Sequence, residues 1–328
     1  MSKHLDELAA AARALVRTNA AARTGVFRRR DLLAWGLDDA VLQAMFRRGL
    51  WVRLRHGVYA DAEVIADADP LARHRLHLAA AIAASEEPAF AVGPSAAVVH
   101  GQPLRAGAPD EVYLVRESGQ DLRSLGRPSK HPLEIPRMRI MSHVLSPSDV
   151  TEVGGIPTVT APLAALTTAP GVTFFRRVGL FDAVLWDGRV THGDLLALLD
   201  SWPSLGGRAG TLAALERARR GAQTYFETVS RLVLVGQGLP EPQLQVPIYD
   251  EDGLIGYVDM YWDDLAVIGE ADGAVKYVDR EVLIAEKRRE DRLRARGFGV
   301  VRWMPEDLRE NPERIAARIR LAARRRAA

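Results

Sequence analysis

Residues 221–303 carry the pattern that most narrows what this chain can fold into. A helical period is followed by three strand-length runs, a second helical run and a last apolar strand, and acids stand inside the strands. Residues 223–235 read as a helix because Phe226, Val229, Leu232 and Val233 recur at helical spacing, with Glu227 and Arg231 four apart on one polar edge. Gly236-Gln237-Gly238-Leu239-Pro240 ends it. Residues 244–248, 254–261 and 265–270 read as strands, divided by Asp250-Glu251-Asp252-Gly253 and by Trp262-Asp263-Asp264. Residues 282–296 and 299–303 supply the second helix and the last strand.

A hairpin turning at residues 263–264 sets Asp259 and Glu270 almost opposite each other, with Cβ atoms roughly 5 Å apart. Alternation along an extended strand adds Asp272 to the face of Glu270. Carboxylates that converge repel unless a cation sits among them, and oxygen donors at this spacing suit Mg²⁺ or Mn²⁺. Such an ion can activate water and offset charge on a phosphate, and Lys276 follows closely enough to assist. The plainer alternative makes Asp259, Asp263, Asp264 and Asp272 turn and edge residues and Glu270–Lys276 an ordinary ion pair. Against it, Asp259 interrupts Ile255-Gly256-Tyr257-Val258-Asp259-Met260-Tyr261, and Glu270 follows Leu265-Ala266-Val267-Ile268-Gly269. Both fall where a strand is partly buried, and an unpartnered carboxylate there is expensive.

The N-terminal 62 residues show a different order. Leu5, Leu8, Ala12, Leu15 and Val16 recur at helical spacing, Thr24-Gly25 breaks the period, and Leu32-Leu33-Ala34-Trp35 resumes it. Gly36-Leu37-Asp38-Asp39 stops one helix and caps the next, which carries Val41, Leu42, Met45 and Phe46. Trp51-Val52-Arg53-Leu54-Arg55, a turn at His56-Gly57 and Val58-Tyr59-Ala60 then form a short hairpin. Three helices and a hairpin are the order of a winged helix, whose third helix enters a major groove while the hairpin touches backbone. Residues 23–55 hold eight arginines against three aspartates. Arg28, Arg29, Arg30, Arg47, Arg48, Arg53 and Arg55 are the candidate DNA contacts. A solvated basic face or a protein-docking module is the alternative.

Residues 63–220 read as an α/β linker domain, with helices near 70–84 and 94–100, strands near 111–116 and 138–143, and helices from about 161, 173 and 192. Ser95 lacks the Gly-x-Ser-x-Gly turn of a hydrolase nucleophile, so it reads as a capping serine and His100 as a packed histidine. His74 and His77, three apart beside Arg73 and Arg75, read as surface residues without a third ligand. No Gly-x-x-x-x-Gly-Lys-Ser/Thr loop occurs, which argues against nucleotide hydrolysis.

Composition narrows the chemistry further. The 328 residues contain no cysteine, which excludes disulfides, thiolate metal sites and cysteine nucleophiles and fits a reducing cytosol. No apolar run approaches membrane-spanning length, and the first residues lack the apolar stretch of an export signal, so a cytoplasmic, nucleoid-associated protein without a membrane partner is expected. The net charge is +2, and lysine occurs only at positions 3, 130, 276 and 287, so the basic side is arginine.

Two resemblances accompany these readings. Val258-Asp259, Gly269-Glu270-Ala271-Asp272-Gly273, Lys276-Tyr277 and the run from Glu286 to Trp303 resemble the actinobacterial endonuclease domain related to very-short-patch-repair nucleases, in the PD-(D/E)xK superfamily. That resemblance covers about a third of the chain. It implies an αβββαβ core in which Asp259 and Glu270 hold the metal, Asp272 assists and Glu227 reaches in from the preceding helix. The Glu-x-Lys position here is Glu270-Ala271-Asp272, and the last histidine is His192, so Lys276 or Lys287 would have to supply the missing cation. The segment from Thr24 to Tyr59 resembles the N-terminal domain of AbiEi-type antitoxins, and residues 93–101 and 150–160 look like its continuation. It implies operator binding and leaves a toxin partner open.

The expected architecture is thus a multidomain α/β protein: a winged helix (1–62), an α/β middle region (63–220) and a restriction-endonuclease-like αβββαβ core (221–328). The expected activity is divalent-metal-dependent DNA endonuclease action with DNA as partner, guided by the winged helix. A transcriptional regulator or antitoxin with an inactive nuclease fold is the alternative, and a protein-interaction module without nucleic acid is a third. A homodimer would suit a winged helix reading a palindrome, although no heptad seam marks one.

Overall fold

The computed structural model describes residues 2–21, 24–104, 107–118, 136–203, 205–273 and 280–327. The chain is a multidomain α/β protein in two compact units, residues 1–172 with 197–208, and residues 173–196 with 209–328. No helix among the described residues is long and apolar enough to cross a membrane.

The first unit opens with the winged-helix order: α1 (Ser2–Ala21), β1 (Val26–Arg28), α2 (Arg29–Ala34), α3 (Asp39–Arg47), β2 (Trp51–Arg55) and β3 (Val58–Asp61). Asp38 caps α3 by accepting the Val41 N–H at 2.9 Å. Ala9, Ala12 and Val16 of α1 close over Phe27, Leu32, Leu42, Met45 and Trp51, while Leu15, expected inside, is exposed. The short strand β1 pairs with β3, making a three-stranded sheet where a two-stranded hairpin was expected. Arg13 and Arg17 both donate to buried Asp61 at 2.8 Å, tying α1 to the end of the hairpin. Burial opposes ionisation of Asp61, yet the two guanidiniums hold its carboxyl well below the usual carboxylate range.

There follow α4 (Ala62–Asp67), α5 (Pro70–Ala83), β4 (Ala89–Ala91), α6 (Gly93–Val99), β5 (Glu111–Arg116), β6 (Arg137–Met141), β7 (Val150–Val153), β8 (Ile156–Val159) and α7 (Ala161–Thr168). The five strands form one sheet in the order β6-β5-β4-β8-β7. Leu76, Ala79 and Ala80 of α5 pack into the cluster of Val26, Leu54 and Val58, so α5 and the winged helix share a core.

The second unit holds α8 (Phe174–Leu185), most of α10 (Arg208–Arg217), α11 (Tyr225–Gly236), β9 (Gln243–Asp250), β10 (Gly253–Trp262), β11 (Val267–Ala271), α12 (Arg280–Ala295), β12 (Gly299–Trp303), α13 (Pro305–Glu310) and α14 (Pro312–Ala327), with α9 (His192–Ser201) crossing the division before α10. The run α11-β9-β10-β11-α12-β12 is the expected αβββαβ order. Its sheet reads β12-β11-β10-β9, antiparallel except for β11 and β12, whose parallel pairing requires a crossover that α12 supplies. Met260, Trp262, Val267, Val301 and Trp303 pack with Ile315, Ala316 and Ile319 of α14.

Helix α8, expected within the middle region, belongs instead to this second unit. Buried Asp182 of α8 accepts from Arg231 Nη2 at 3.0 Å and Thr228 Oγ1 at 2.8 Å, both on α11. Arg231 is fully buried, and a charge at that depth needs its partner in the same compact body. The apolar periodicity of α8 did not disclose that polar anchor.

Candidate active site

Thr224 starts α11 by accepting the Glu227 N–H at 3.2 Å, and Glu227 answers by accepting from Gln223 N and Thr224 Oγ1, each at 2.9 Å. The exchange is a capping arrangement that satisfies donors left open at a helix start. It also fixes the carboxylate of Glu227 in a buried position, where burial first and neighbouring Asp259 second push it up from its ordinary value.

The β10–β11 hairpin supplies the next two acids. Its register, running from Trp262↔Val267 to Met260↔Gly269, sets Asp259 next in line with Glu270, as the spacing predicted. Asp259 Oδ2 accepts the Ala271 N–H at 2.9 Å. Glu270 is buried, and Glu270 Oε1 accepts from Arg289 Nη2 at 2.9 Å. Burial pushes the Glu270 carboxyl up to about 7; Arg289 opposes the rise and Asp259 adds to it. Asp259 is raised too, by burial against the Ala271 N–H and the Gln245 amide, with Asp272 adding to the rise.

Gly269 keeps this corner compact. A Cβ there would lie 2.6 Å from Trp303 Cη2 and 2.8 Å from Trp262 Cζ3. Only glycine lets both indoles close beneath the strand that carries Glu270.

Asp272 follows the end of β11 and continues the ladder through its N–H to the Trp303 carbonyl at 3.0 Å. Arg302, the β12 residue paired with Glu270, places Nη1 3.4 Å from both Asp272 carboxylate oxygens. Its Nη2 bonds Glu286, and its Nε stands 3.2 Å from Glu290 as a charge contact rather than an aligned hydrogen bond. Burial works against it, yet Arg302 and Arg289 hold the Glu286 carboxyl below its ordinary value.

Among the described residues, the cation in contact with Glu270 is an arginine of α12, Arg289. Arg289 also donates from Nη2 to the Tyr257 carbonyl at 2.7 Å and from Nη1 to Glu286 Oε1 at 3.1 Å. It passes close over Gly256, where a Cβ would meet its Nε at 2.9 Å. Lys287 is exposed on the same helix, and Lys276 lies outside the described residues. Glu227, Asp259, Glu270 and Asp272 thus occupy one corner, and Gln245, Glu286, Arg289 and Arg302 complete it without having been singled out by spacing. The i,i+3 pair Glu286 and Arg289 was the one sequence signal available for two of them.

Among the described residues no three acids or histidines form a ready-made cation cage. Asp259 and Glu270 nevertheless offer hard oxygen donors, and burial raises both carboxyls even though the Arg289 guanidinium lies against Glu270. Two protein carboxylates suffice for Mg²⁺, which keeps much of its own water. Asp259 and Glu270 are the residues that could hold such an ion.

In the winged helix, Arg30, Arg47, Arg48 and Arg53 are exposed. Arg29 pairs with Asp39, and Arg28 is half-buried, which lowers its pKa. Arg55 differs from its neighbours: it donates to the Pro136 carbonyl at 2.7 Å, and burial lowers its pKa. A register shift between Arg53 and Arg55 accompanies that inward turn. His74 and His77, expected at the surface, are buried. His74 Nε2 lies 2.9 Å from Ser95 Oγ, which accepts the Tyr113 N–H at 2.8 Å, so Ser95 joins α5, α6 and β5 rather than capping a helix. His100 bonds the Val159 carbonyl at 2.8 Å, as a packed histidine does.

No protein-family model matches the chain. It is similar to uncharacterized proteins from two strains of Mycobacterium tuberculosis, each 34% identical over 116 residues. The match takes in 34% of this chain and 43% of each relative, so it spans less than half of their length.

Proposed function

We propose that the chain is a divalent-metal-dependent DNA endonuclease whose site is the corner of Asp259, Glu270, Asp272 and Arg289, with the winged helix holding the DNA. The observation that carries this reading is the pair Asp259 and Glu270, aligned across the β10–β11 hairpin and both raised by burial, with a guanidinium on one of them. Acids and a cation brought together at such cost to a fold are characteristic of functional sites.

Asp259 and Glu270 would hold Mg²⁺ or Mn²⁺, which supplies Lewis acidity and an acidified water when bound. The Ala271 N–H and Gln245 amide fix the direction of the Asp259 carboxylate. Arg289 is a bidentate donor suited to a phosphate and takes the place of the lysine missing at Asp272. Arg302 keeps Asp272 directed away from free rotation. Arg30, Arg47, Arg48 and Arg53 provide charge for phosphate contacts, and the reading sets the protein's work on DNA in the cytoplasm, at the nucleoid.

One observation favours a second reading. Arg289 already neutralises Glu270, as it would in a fold retained for DNA binding alone, a regulator or antitoxin. Incubation of supercoiled and linear DNA with the protein and Mg²⁺ or Mn²⁺ separates the two: a nuclease cuts, and a regulator binds without cutting.

A further inference from the structure

Gln245 is the third residue of β9, yet its backbone sits in the left-handed region at φ 49°. Few residues other than glycine, asparagine and aspartate adopt that conformation, and a strand offers no local reason for it. Strain of this kind persists where surrounding structure requires it, often at a functional site.

The register shows what the strain accompanies. Val258↔Val246 and Met260↔Leu244 pair on either side, so Gln245 stands across from Asp259. Gln245 Nε2 lies 3.1 Å from Asp259 Oδ1 and 3.3 Å from Glu227 Oε2. A primary amide has two N–H donors on one nitrogen, and here each finds a different carboxylate. Glu227, meanwhile, is bonded through its other contacts to the first turn of α11.

We infer that Gln245 is a positioning residue, a two-donor clamp through which Glu227 and the start of α11 fix the Asp259 carboxylate for a divalent cation. The inference rests on the metal-site reading above and refines it. Glu227 then acts on the site through Gln245 rather than by touching the ion. Asp259 has one oxygen on the Ala271 N–H and the other on Gln245, so its plane is held from two directions. Without the amide, Glu227 and Asp259 would be two acids with no donor between them.

The test is Mn²⁺ binding by calorimetry to the full chain, in the wild type, Gln245→Leu, Glu227→Leu and the double variant, with DNA cleavage measured alongside. Leucine keeps the bulk and removes both donors. Hydrogen bonds to charged groups are worth enough that each single variant should weaken Mn²⁺ binding by about tenfold. The double variant should be little worse than either alone, because both act through one contact. Cleavage should lose kcat with the KM for DNA unchanged. Gln245→Gly guards against a folding defect: it relieves the left-handed strain, so it should melt no lower than wild type and still bind Mn²⁺ more weakly. Wild-type Mn²⁺ affinity in Gln245→Leu and Gln245→Gly, or additive effects in the double variant, overturns the clamp while leaving the nuclease reading intact. A wild type that binds Mn²⁺ and never cuts DNA sinks the nuclease reading, and the clamp then stands or falls on the binding data alone. A wild type that binds no Mn²⁺ overturns both.

Discussion

Arg289 reaches from α12 to Glu270 on β11, its Nη2 2.9 Å from the carboxylate oxygen, with Gly256 bare beneath its path. Among the described residues, the cation on Glu270 thus comes from a helix, 19 residues further along the chain, not from the position two after the acid. Removing it should separate chemistry from folding. Arg289→Ala is expected to lower the rate of DNA cleavage by roughly 100-fold, the scale found when one preorganised donor is lost at a developing charge. Arg289→Lys should recover part of that loss, because it keeps the charge and loses the two-pronged donor. Steady-state cleavage of a labelled duplex measures both.

The raised carboxyl of Glu270 makes a pH prediction with a definite sign. Its pKa is about 7 in the folded chain against an ordinary 4.5, so folding favours the protonated form. Its contribution to stability is full below pH 4.5 and is lost as pH rises through 7. Glu270→Gln should therefore leave stability near pH 4 almost unchanged and raise it by about 3 kcal/mol at pH 8, the equivalent of 2.5 pH units. Chemical denaturation at the two pH values reads this directly. Mn²⁺ affinity of the wild type should rise over the same interval, since only the ionised carboxylate is a ligand.

Gly269→Ala should damage stability rather than chemistry alone. The added methyl meets two buried indoles, and overpacking of this kind costs about 1–3 kcal/mol. A thermal melt of the variant should fall below that of the wild type, and an unchanged melt would show that the rings yield easily.

The arginines of the winged helix divide into two groups. Arg47→Ala and Arg53→Ala should weaken DNA binding across sequences, each lowering the salt slope of log K by about one if it touches one phosphate. Arg55→Ala should instead lower the melting temperature, because Arg55 serves the Pro136 carbonyl inside the first unit. Salt-dependent anisotropy with a fluorescent duplex distinguishes them.

What the sequence disclosed follows from how far each interaction runs along the chain. The alignment of Asp259 with Glu270 was legible because a short turn fixes hairpin register, and strand alternation does the rest. Arg289, Arg302 and Gln245 were not, because each meets its acid across a sheet or from a helix, and an arginine among many on a charged helix has no periodic mark. The buried pair Asp182 and Arg231 was hidden for the same reason, and with it the place of α8. His74 and His77 looked like surface residues beside two arginines, yet α5 turns its histidines into the unit and leaves Arg73 exposed. Strands β1, β4, β7 and β8 were missed because runs of three or four residues carry too little alternation to be seen.

Metal-dependent nuclease action is tested by cleavage of supercoiled and linear DNA in Mg²⁺ or Mn²⁺ by the wild type, by Glu270→Ala and by the wild type with a chelator. Cutting by the wild type that both the substitution and the chelator abolish is the expected result. A wild type that binds DNA and leaves it whole in both metals would overturn nuclease action and leave Asp259, Glu270 and Arg289 as an ion-paired corner of a DNA-binding protein.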